Sequence, residues 1–171
     1  MSGHVLILVA CGATKLSHPA PAEDLYTSSH FALMLAAARS EAADTVRVCG
    51  GTASVAILSA LHGLVDPATA LEPYDLKMGQ PGSVTAAQLA AQLVHSPPDE
   101  IVAMLPAAYL LVLVEAVETL NDAALADITV HNAFEAAPGI GYQRGVAASL
   151  LRTAGRIGNK RQQEANVSAA Q

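Results

Sequence analysis

The chain has few aromatic and few charged residues. It contains no tryptophan and only two phenylalanines among 171 residues, and charged residues make up 14% of it. Hydrophobic residues make up 52%, so the core must be aliphatic and rich in alanine. This composition excludes a disordered chain. The length predicts a single domain that buries its core without disulfides or metal ions.

Cysteine is also scarce. The only two cysteines, Cys11 and Cys49, cannot form a disulfide framework, and no charged segment precedes the first apolar run. The longest uncharged apolar stretch, residues 101–114, is too short to cross a bilayer and contains Pro106. We therefore expect a cytoplasmic protein that contacts no membrane and needs neither a metal ion nor a cofactor.

Charge of the two signs is distributed unevenly. The net charge is −6, but residues 1–143 carry 4 Lys and Arg against 14 Asp and Glu, whereas residues 144–171 carry five cations against Glu164 alone. The negative net charge argues against a wholly basic nucleic-acid-binding protein. A basic C-terminal helix can contact phosphate, and it can equally be a solvated helix end whose cations are favoured by the helix dipole.

Segments typical of strands and of helices alternate along the chain. The predicted strands are residues 4–10, 46–49, 55–58, 101–105 and 127–131. The predicted helices are residues 31–43, 85–95, 106–120 and 142–157. Ser28 or Ser29 suits the N-cap of the first helix, and Thr85 with Gln88 forms a capping box for the second. A short helix over residues 52–61 is the alternative to the strand predicted at residues 55–58.

This alternation predicts an α/β fold with a mainly parallel sheet flanked by helices, a Rossmann-like arrangement of three layers. No repeat or linker is visible in the sequence. We expect one compact domain over residues 1–158, followed by a polar tail over residues 159–171.

The first candidate group follows the first predicted strand. Cys11 lies four residues before Lys15, and a thiol at a strand end beside an ammonium group is in a setting that favours the reactive thiolate. The alternative is a small buried cysteine with a lysine at the surface. Only Cys11 has a neighbouring lysine, so it is the candidate nucleophile, and Cys49 is expected to be inert.

The second candidate group combines two loops. An apolar run ends at His62, and Glu72, Tyr74 and Asp75 follow within a short distance. Histidine exchanges a proton near neutral pH, and a nearby carboxylate can orient it or act as the base. The alternative is a hydrogen-bonded turn with no chemistry. The spacing fits no metal site.

The third candidate group is a glycine loop. Gly139 and Gly141 precede Arg144 between a predicted strand and a predicted helix. Glycines let the backbone approach a ligand, and a helix N-terminus with an arginine favours phosphate. A loop that only needs positive φ angles is the alternative.

Several of these segments resemble known families. The run from Leu58 to Met78 resembles the corresponding stretch of the YaaA peroxide-stress family. The chain is also similar to an uncharacterised bacterial and phage domain family, which has a cysteine and a lysine after its first strand and a Pro-Ala-Pro-Ala-x-x-Leu-Tyr segment, here residues 19–26. More loosely, Cys11, Lys15, Tyr26 and Ser28 resemble a motif of the archaeosine synthase core domain.

The resemblance implies an enzyme that modifies a nucleobase, a nucleotide or a nucleic acid, or that acts on a glycosidic bond. The expected catalytic residues are Cys11, Lys15, His62, Glu72 and Asp75. The expected substrate-binding residues are Tyr26, Ser28, Ser59, Tyr74, Gly139, Gly141 and Arg144. Two alternatives stay open, a non-catalytic DNA- or nucleotide-binding stress protein and an accessory subunit. A homodimer is a further open alternative.

Overall fold

A computed structural model describes residues 3–135, 146–149 and 151. The strands of this part are β1 (His4–Ala10), β2 (Ala20–Pro21), β3 (Thr52–Ser59), β4 (Gly63–Val65), β5 (Ala70–Leu71), β6 (Glu100–Met104) and β7 (Thr129–Asn132). The helices are α1 (Ala22–Leu25), α2 (Ser29–Thr45), α3 (Ala86–Leu93) and α4 (Ala107–Asp122), and a π-helical segment, Val46–Gly50, continues α2.

Five strands form one sheet in the order β4-β3-β1-β6-β7. β1 lies in the centre and runs parallel to β3 and β6, so that Ile7 pairs with Val55 on one side and with Val102 on the other. β7 is parallel to β6, and only the short β4 is antiparallel. The central place of β1 explains its uninterrupted apolar sequence, because a parallel strand covered on both faces has no solvent side.

The side chains of the sheet divide between two apolar layers. Ile7, Val9 and Ile57 pack with α2 on one face. Their neighbours in sequence, such as Leu8 and Leu58, pack with α3 and α4 on the other face. This alternation with a period of two residues is the geometry of a strand. The predicted three-layer α/β fold with a mainly parallel sheet is therefore confirmed.

Several local predictions are also confirmed. β1 spans the predicted residues. Ser28 caps α2 by accepting a hydrogen bond from the Phe31 N–H, and the capping box of Thr85 and Gln88 opens α3. Pro106 is the N-cap of α4 rather than its first residue, a shift of one position, which is common at helix ends.

The predicted strand at residues 46–49 is wrong. The chain continues α2 there as the π-helical segment, and the Val46 N–H donates to the carbonyls of Ala42 and Ala43. β-branched residues in this segment are typical of a strand, but Val48 is 70% exposed. Hydrogen bonding to the preceding helical turn outweighs the local preference. The next strand, β3, is longer than predicted and rules out the alternative helix over residues 52–61.

Two sets of hydrogen bonds hold the loops at the carboxyl end of the sheet in place. β2 and β5 form an antiparallel pair that ties the segment before Tyr26 to the segment before Tyr74. On the other side, Gln92 of α3 accepts from the Leu64 N–H and donates to the His62 carbonyl. Gly63 has a φ of 73°, and a side chain at this position would collide with Gln92.

The helix predicted over residues 142–157 lies largely outside the described residues, and the tail predicted over residues 159–171 lies wholly outside them. Residues 146–149 are helical, and Ala147 is buried in the layer that contains α2. Among the described helices, none has the length and apolar character needed to span a bilayer.

Candidate functional site

The order of the strands creates a crevice between β1 and β6. From β1 the chain crosses through α2 to β3, on one side of the sheet, whereas from β6 it crosses through α4 to β7, on the other side. The connections that leave the carboxyl ends of these two strands therefore diverge. Ligands of open α/β sheets bind at such a point.

A cavity of about 250 Å³ occupies this crevice. Its walls are mainly apolar, and they are formed by Phe31, Met34, Met104, Pro106 and Phe134. Its polar rim consists of residues 11–14 and Ser28. Pockets for drug-sized ligands measure roughly 300–1,000 Å³, so this cavity suits a single small ring system better than a dinucleotide.

Cys11 lies at the rim of the cavity, directly after β1. Its backbone N–H donates to the Leu58 carbonyl over 3.1 Å, which fixes the loop against the end of β3. Its side chain is half-buried, and Sγ lies 3.1 Å from the hydroxyl oxygen of Tyr109 in the first turn of α4. Cys11 therefore contacts β3 through its backbone and the helix that follows β6 through its thiol.

A cluster of hydroxyl groups adjoins Cys11. The Tyr74 hydroxyl lies 2.8 Å from that of Tyr26 and 2.7 Å from that of Ser59. The Ser59 side chain is fully buried, and its oxygen accepts from the N–H groups of Leu61 and His62. Ser59, predicted to bind substrate, therefore supports Tyr74 from within the protein.

The three tyrosines of this cluster are held in their protonated form. Burial raises the pKa of Tyr26, Tyr74 and Tyr109. For Tyr74 and Tyr109 the next largest cause of the raised pKa is charge on Cys11, which disfavours a second negative group nearby. At neutral pH these hydroxyls act as hydrogen-bond donors and not as bases.

Lys15 brings a positive charge to the same cluster. Its backbone forms a bridge with Tyr26, and its ammonium nitrogen lies 4.3 Å from the ring centroid of Tyr74 and 5.6 Å from that of Tyr26. The ammonium group donates to the Ala13 carbonyl over 3.3 Å. A cation above an aromatic face is stabilised by the ring quadrupole. In residues 3–135, no carboxylate forms an ion pair with Lys15.

The predicted loop of His62, Glu72 and Asp75 is only partly brought to the cluster. The exposed His62 ring meets Tyr74 edge to face, with 5.6 Å between the ring centroids. Glu72 and Asp75 are exposed as well. Within the described part of the chain, no hydrogen bond or ion pair joins either carboxylate to Cys11, Lys15 or His62.

The other predicted residues have separate positions. Ser28 lines the cavity, and Tyr26 is buried and does not line it. Gly139, Gly141 and Arg144 lie outside the described residues. Among residues 3–135 and the short described helix, no group of three His, Cys, Asp or Glu side chains is placed to hold a metal ion.

The sequence does not predict the contact between Tyr109 and Cys11. It lies in a helix that is otherwise mainly aliphatic, one turn after the end of β6, and it reaches Cys11 only because β6 is the neighbour of β1. The sequence signal that could have indicated a role for Tyr109 is a single tyrosine in the otherwise apolar first turn of a helix that follows a strand.

Comparison with known families gives one finding. The model of a family of unknown function (DUF6884) matches residues 6–128, which is more than half of the chain and includes Cys11, the tyrosine cluster and Lys15. No curated protein matches the chain, and no solved structure does.

Proposed function

We infer the function from the site itself, since the chain belongs to the family of unknown function DUF6884. We propose an enzyme that acts on a nucleobase, either free, in a nucleotide or in a nucleic acid, with Cys11 as the reacting group. The observation that carries the proposal is the position of Cys11, which lines an apolar cavity at the switch point of the sheet and also contacts the protonated Tyr109.

The size and lining of the cavity favour a base as the ligand. Phe31 and Phe134 offer aromatic surface to a planar ring, and stacking on aromatic side chains is a common way to bind bases. Polar groups of residues 11–14 and Ser28 lie at the rim, where hydrogen bonds to a base edge can form. An apolar pocket with a few polar groups fits this class of ligand.

The roles of the residues follow from their positions. Cys11 acts as the nucleophile or the proton donor. As a nucleophile, its thiolate adds to an electron-poor ring carbon, the displaced π pair moves to the adjacent ring nitrogen, and that nitrogen takes a proton from water. Loss of that proton and departure of the thiolate reverse the addition. Lys15, whose ammonium group lies over the Tyr74 ring and outside the cavity wall, is placed to attract an anionic group of the substrate, and Ser28 donates to the base.

The glycine loop of Gly139, Gly141 and Arg144 stays a prediction for phosphate binding. Catalytic roles for Glu72 and Asp75 are untested predictions. We assign these carboxylates no step here, because both side chains are exposed and neither is hydrogen-bonded to Cys11 among the described residues. The alternative of a DNA- or nucleotide-binding stress protein depends on the basic residues between positions 144 and 161, which lie outside the described part of the chain.

A binding and adduct experiment tests the proposal. The purified protein is incubated with a panel of bases, nucleosides and short RNA and DNA strands, and intact-mass spectrometry after acid quenching detects covalent adducts, while chromatography detects altered bases. We expect an adduct or a product with the parent and with Cys49→Ser. Cys11→Ser should give neither. Equal product formation by Cys11→Ser would remove Cys11 from the reaction.

A further inference from the structure

We propose that His30 supplies the proton that the ring nitrogen of a bound base takes up when Cys11 adds to the ring. The inference deepens the proposed function and rests on it, since it takes Cys11 as the reacting group and a base as the ligand. His30 lies in the first turn of α2, and it is not among the residues that the sequence predicts for the site. Its position in the cavity makes it a candidate catalytic residue.

His30 lies on the face of α2 that is turned to the cavity. It lines the cavity together with Phe31 and Met34. Met34 follows His30 by four residues, a spacing that places two side chains on one face of a helix. Met34 is buried, whereas His30 is half-buried. The Nδ1 nitrogen of His30 is buried, so we assign proton exchange within the cavity to Nε2.

The start of α2 packs closely against the loop that carries Cys11. A Cβ atom at Gly12 would lie 3.5 Å from the Ser28 hydroxyl oxygen and 3.6 Å from Cβ of Phe31. The residue after Cys11 therefore leaves room for little more than a methyl group between the loop and the helix. Cys11 and His30 line one small cavity from these two adjoining segments, and a ring that fills the cavity touches both.

Within the described part of the chain, His30 has no competitor for this role. Among the described residues that line the cavity, only Cys11 and His30 have ionisable side chains. His62, the histidine that the sequence favours, is exposed and does not line the cavity. A general acid acts directly or through one water molecule, and it contributes about 10²-fold or more to a rate.

The proton movements of this step balance. The Cys11 thiol releases its proton to solvent, the thiolate adds to the ring carbon, and the displaced pair moves to the ring nitrogen. The imidazolium form of His30 gives a proton to the water that protonates this nitrogen, and neutral His30 regains a proton from solvent. The positive end of α2 and the apolar wall both oppose a positive charge on His30, so the imidazolium gives up its proton readily.

Two electrophiles test this inference without a known substrate. 6-Chloropurine has the shape of a base, and it exchanges chloride for the Cys11 sulfur after a ring nitrogen has taken up the displaced pair. Iodoacetamide alkylates the same sulfur with loss of iodide, and it has no ring nitrogen to protonate. Intact-mass spectrometry follows both labelling rates at neutral pH in a Cys49→Ala background, for the parent, His30→Asn and His30→Gln.

His62→Asn is the matched control, since it removes the same group from a residue outside the cavity wall. Circular dichroism and thermal unfolding establish that each variant is folded, and the second His30 variant serves if the first is not. We expect 6-chloropurine to label the His30 variants about 10²-fold more slowly than the parent, the contribution of a general acid. Iodoacetamide should label all four proteins at one rate.

Two results overturn the inference. One is an unchanged rate of 6-chloropurine labelling in a folded His30 variant. The other is an equal slowing with both reagents, which would indicate that the substitution displaces Cys11 rather than removes a proton donor.

Failure of this inference is distinguishable from failure of the proposed function. Fast labelling of the parent and of both His30 variants by 6-chloropurine would keep the base-binding cavity and reject His30. If 6-chloropurine labelled the parent no faster than free cysteine, and the base panel gave no product, both the nucleobase enzyme and the role of His30 would be rejected.

Discussion

The two ends of the sheet each contain a cavity and a cysteine. At the amino end, a cavity of about 350 Å³ is lined by Glu41, Cys49 and Glu100, among others. At the carboxyl end, the smaller cavity of about 250 Å³ contains Cys11. Cys49 is exposed in the π-helical segment, whereas Cys11 is half-buried and within hydrogen-bonding distance of Tyr109.

If Cys11 is the reacting group, as proposed, the two ends differ in the groups that surround the cysteine more than in access or volume. Cys49 is open to solvent, and its cavity is the larger one, but the charged side chains that line that cavity are the carboxylates of Glu41 and Glu100. Cys11 contacts the Tyr109 hydroxyl, and the ammonium group of Lys15 lies over the ring of Tyr74 in the adjoining hydroxyl cluster. Reactivity depends on neighbouring groups that stabilise the charged sulfur.

The largest expected difference between the two ends is in turnover. Cys11→Ser should lower the rate by about 10³-fold or more, equivalent to about 4 kcal/mol of transition-state stabilisation, because a serine hydroxyl is a far weaker nucleophile than a thiolate. Cys49→Ser should leave the rate unchanged. The measurement is steady-state turnover on whichever base the adduct screen identifies. Equal losses from the two substitutions would erase the distinction between the ends.

The next largest effect compares two serines at the two ends of one strand. Ser59 is fully buried at the carboxyl end of β3, and its oxygen accepts from two backbone N–H groups. Ser54, at the amino-end half of β3, is half-buried and shares one hydrogen bond with the His4 ring over 2.8 Å. Ser59→Ala should cost about 2 kcal/mol in the free energy of unfolding, and Ser54→Ala about 0.5–1 kcal/mol.

Urea denaturation with a common m-value measures both losses. The contrast depends on the backbone N–H groups of Leu61 and His62, which lose their acceptor only in Ser59→Ala. If Ser54→Ala lowered the free energy of unfolding as much as Ser59→Ala, the two backbone hydrogen bonds accepted by Ser59 would contribute no extra stability.

The sequence predicts the frame of the molecule better than its site. The central strand β1 and the caps at Ser28 and Thr85 are readable because hydrophobic periodicity and capping are local properties. The strand prediction for residues 46–49 is wrong because β-branched side chains favour extended backbone locally, and this preference does not depend on whether a neighbouring strand can pair with the segment. The three-residue β4 was missed, since its pairing with β3 depends on the turn at Gly63.

The candidate site depends on contacts between residues far apart in the chain. Cys11 and Lys15 are recognisable because they are close in sequence, and Tyr26 and Tyr74 because they belong to motifs. No local pattern indicates that Ser59 joins these two tyrosines, nor that Tyr109 reaches Cys11 across 98 positions. Those contacts exist because β3 and β6 both neighbour β1, and strand order is not a local property.

A smaller effect is expected from the two carboxylates that the sequence placed in the site. Glu72→Gln and Asp75→Asn should each change turnover by less than about threefold, because both side chains are exposed. A general base contributes about 10²-fold or more. A loss of that size in either variant, with affinity nearly intact, would restore the carboxylate to the catalytic group and move the reacting centre toward His62.

The smallest expected effect concerns Glu41, a carboxyl group of the amino-end cavity. Burial, and then the charge of Asp44, raises the pKa of Glu41. A carboxyl whose pKa is raised by folding binds more protons in the folded state than in the unfolded state, so its contribution to stability falls as the pH rises through its titration range. Glu41→Gln removes that loss. The variant should therefore be slightly more stable than the parent at neutral pH, by no more than about 0.5 kcal/mol, and the difference should vanish as the pH falls below the range in which Glu41 titrates.

Urea denaturation at several pH values measures this difference in stability, and Glu118→Gln, on the solvent-exposed side of α4, is the control. Functional sites often cost stability. A gain well above 1 kcal/mol from Glu41→Gln would show that the amino end also carries such a cost, and the sharp contrast between the two ends would then have to be abandoned.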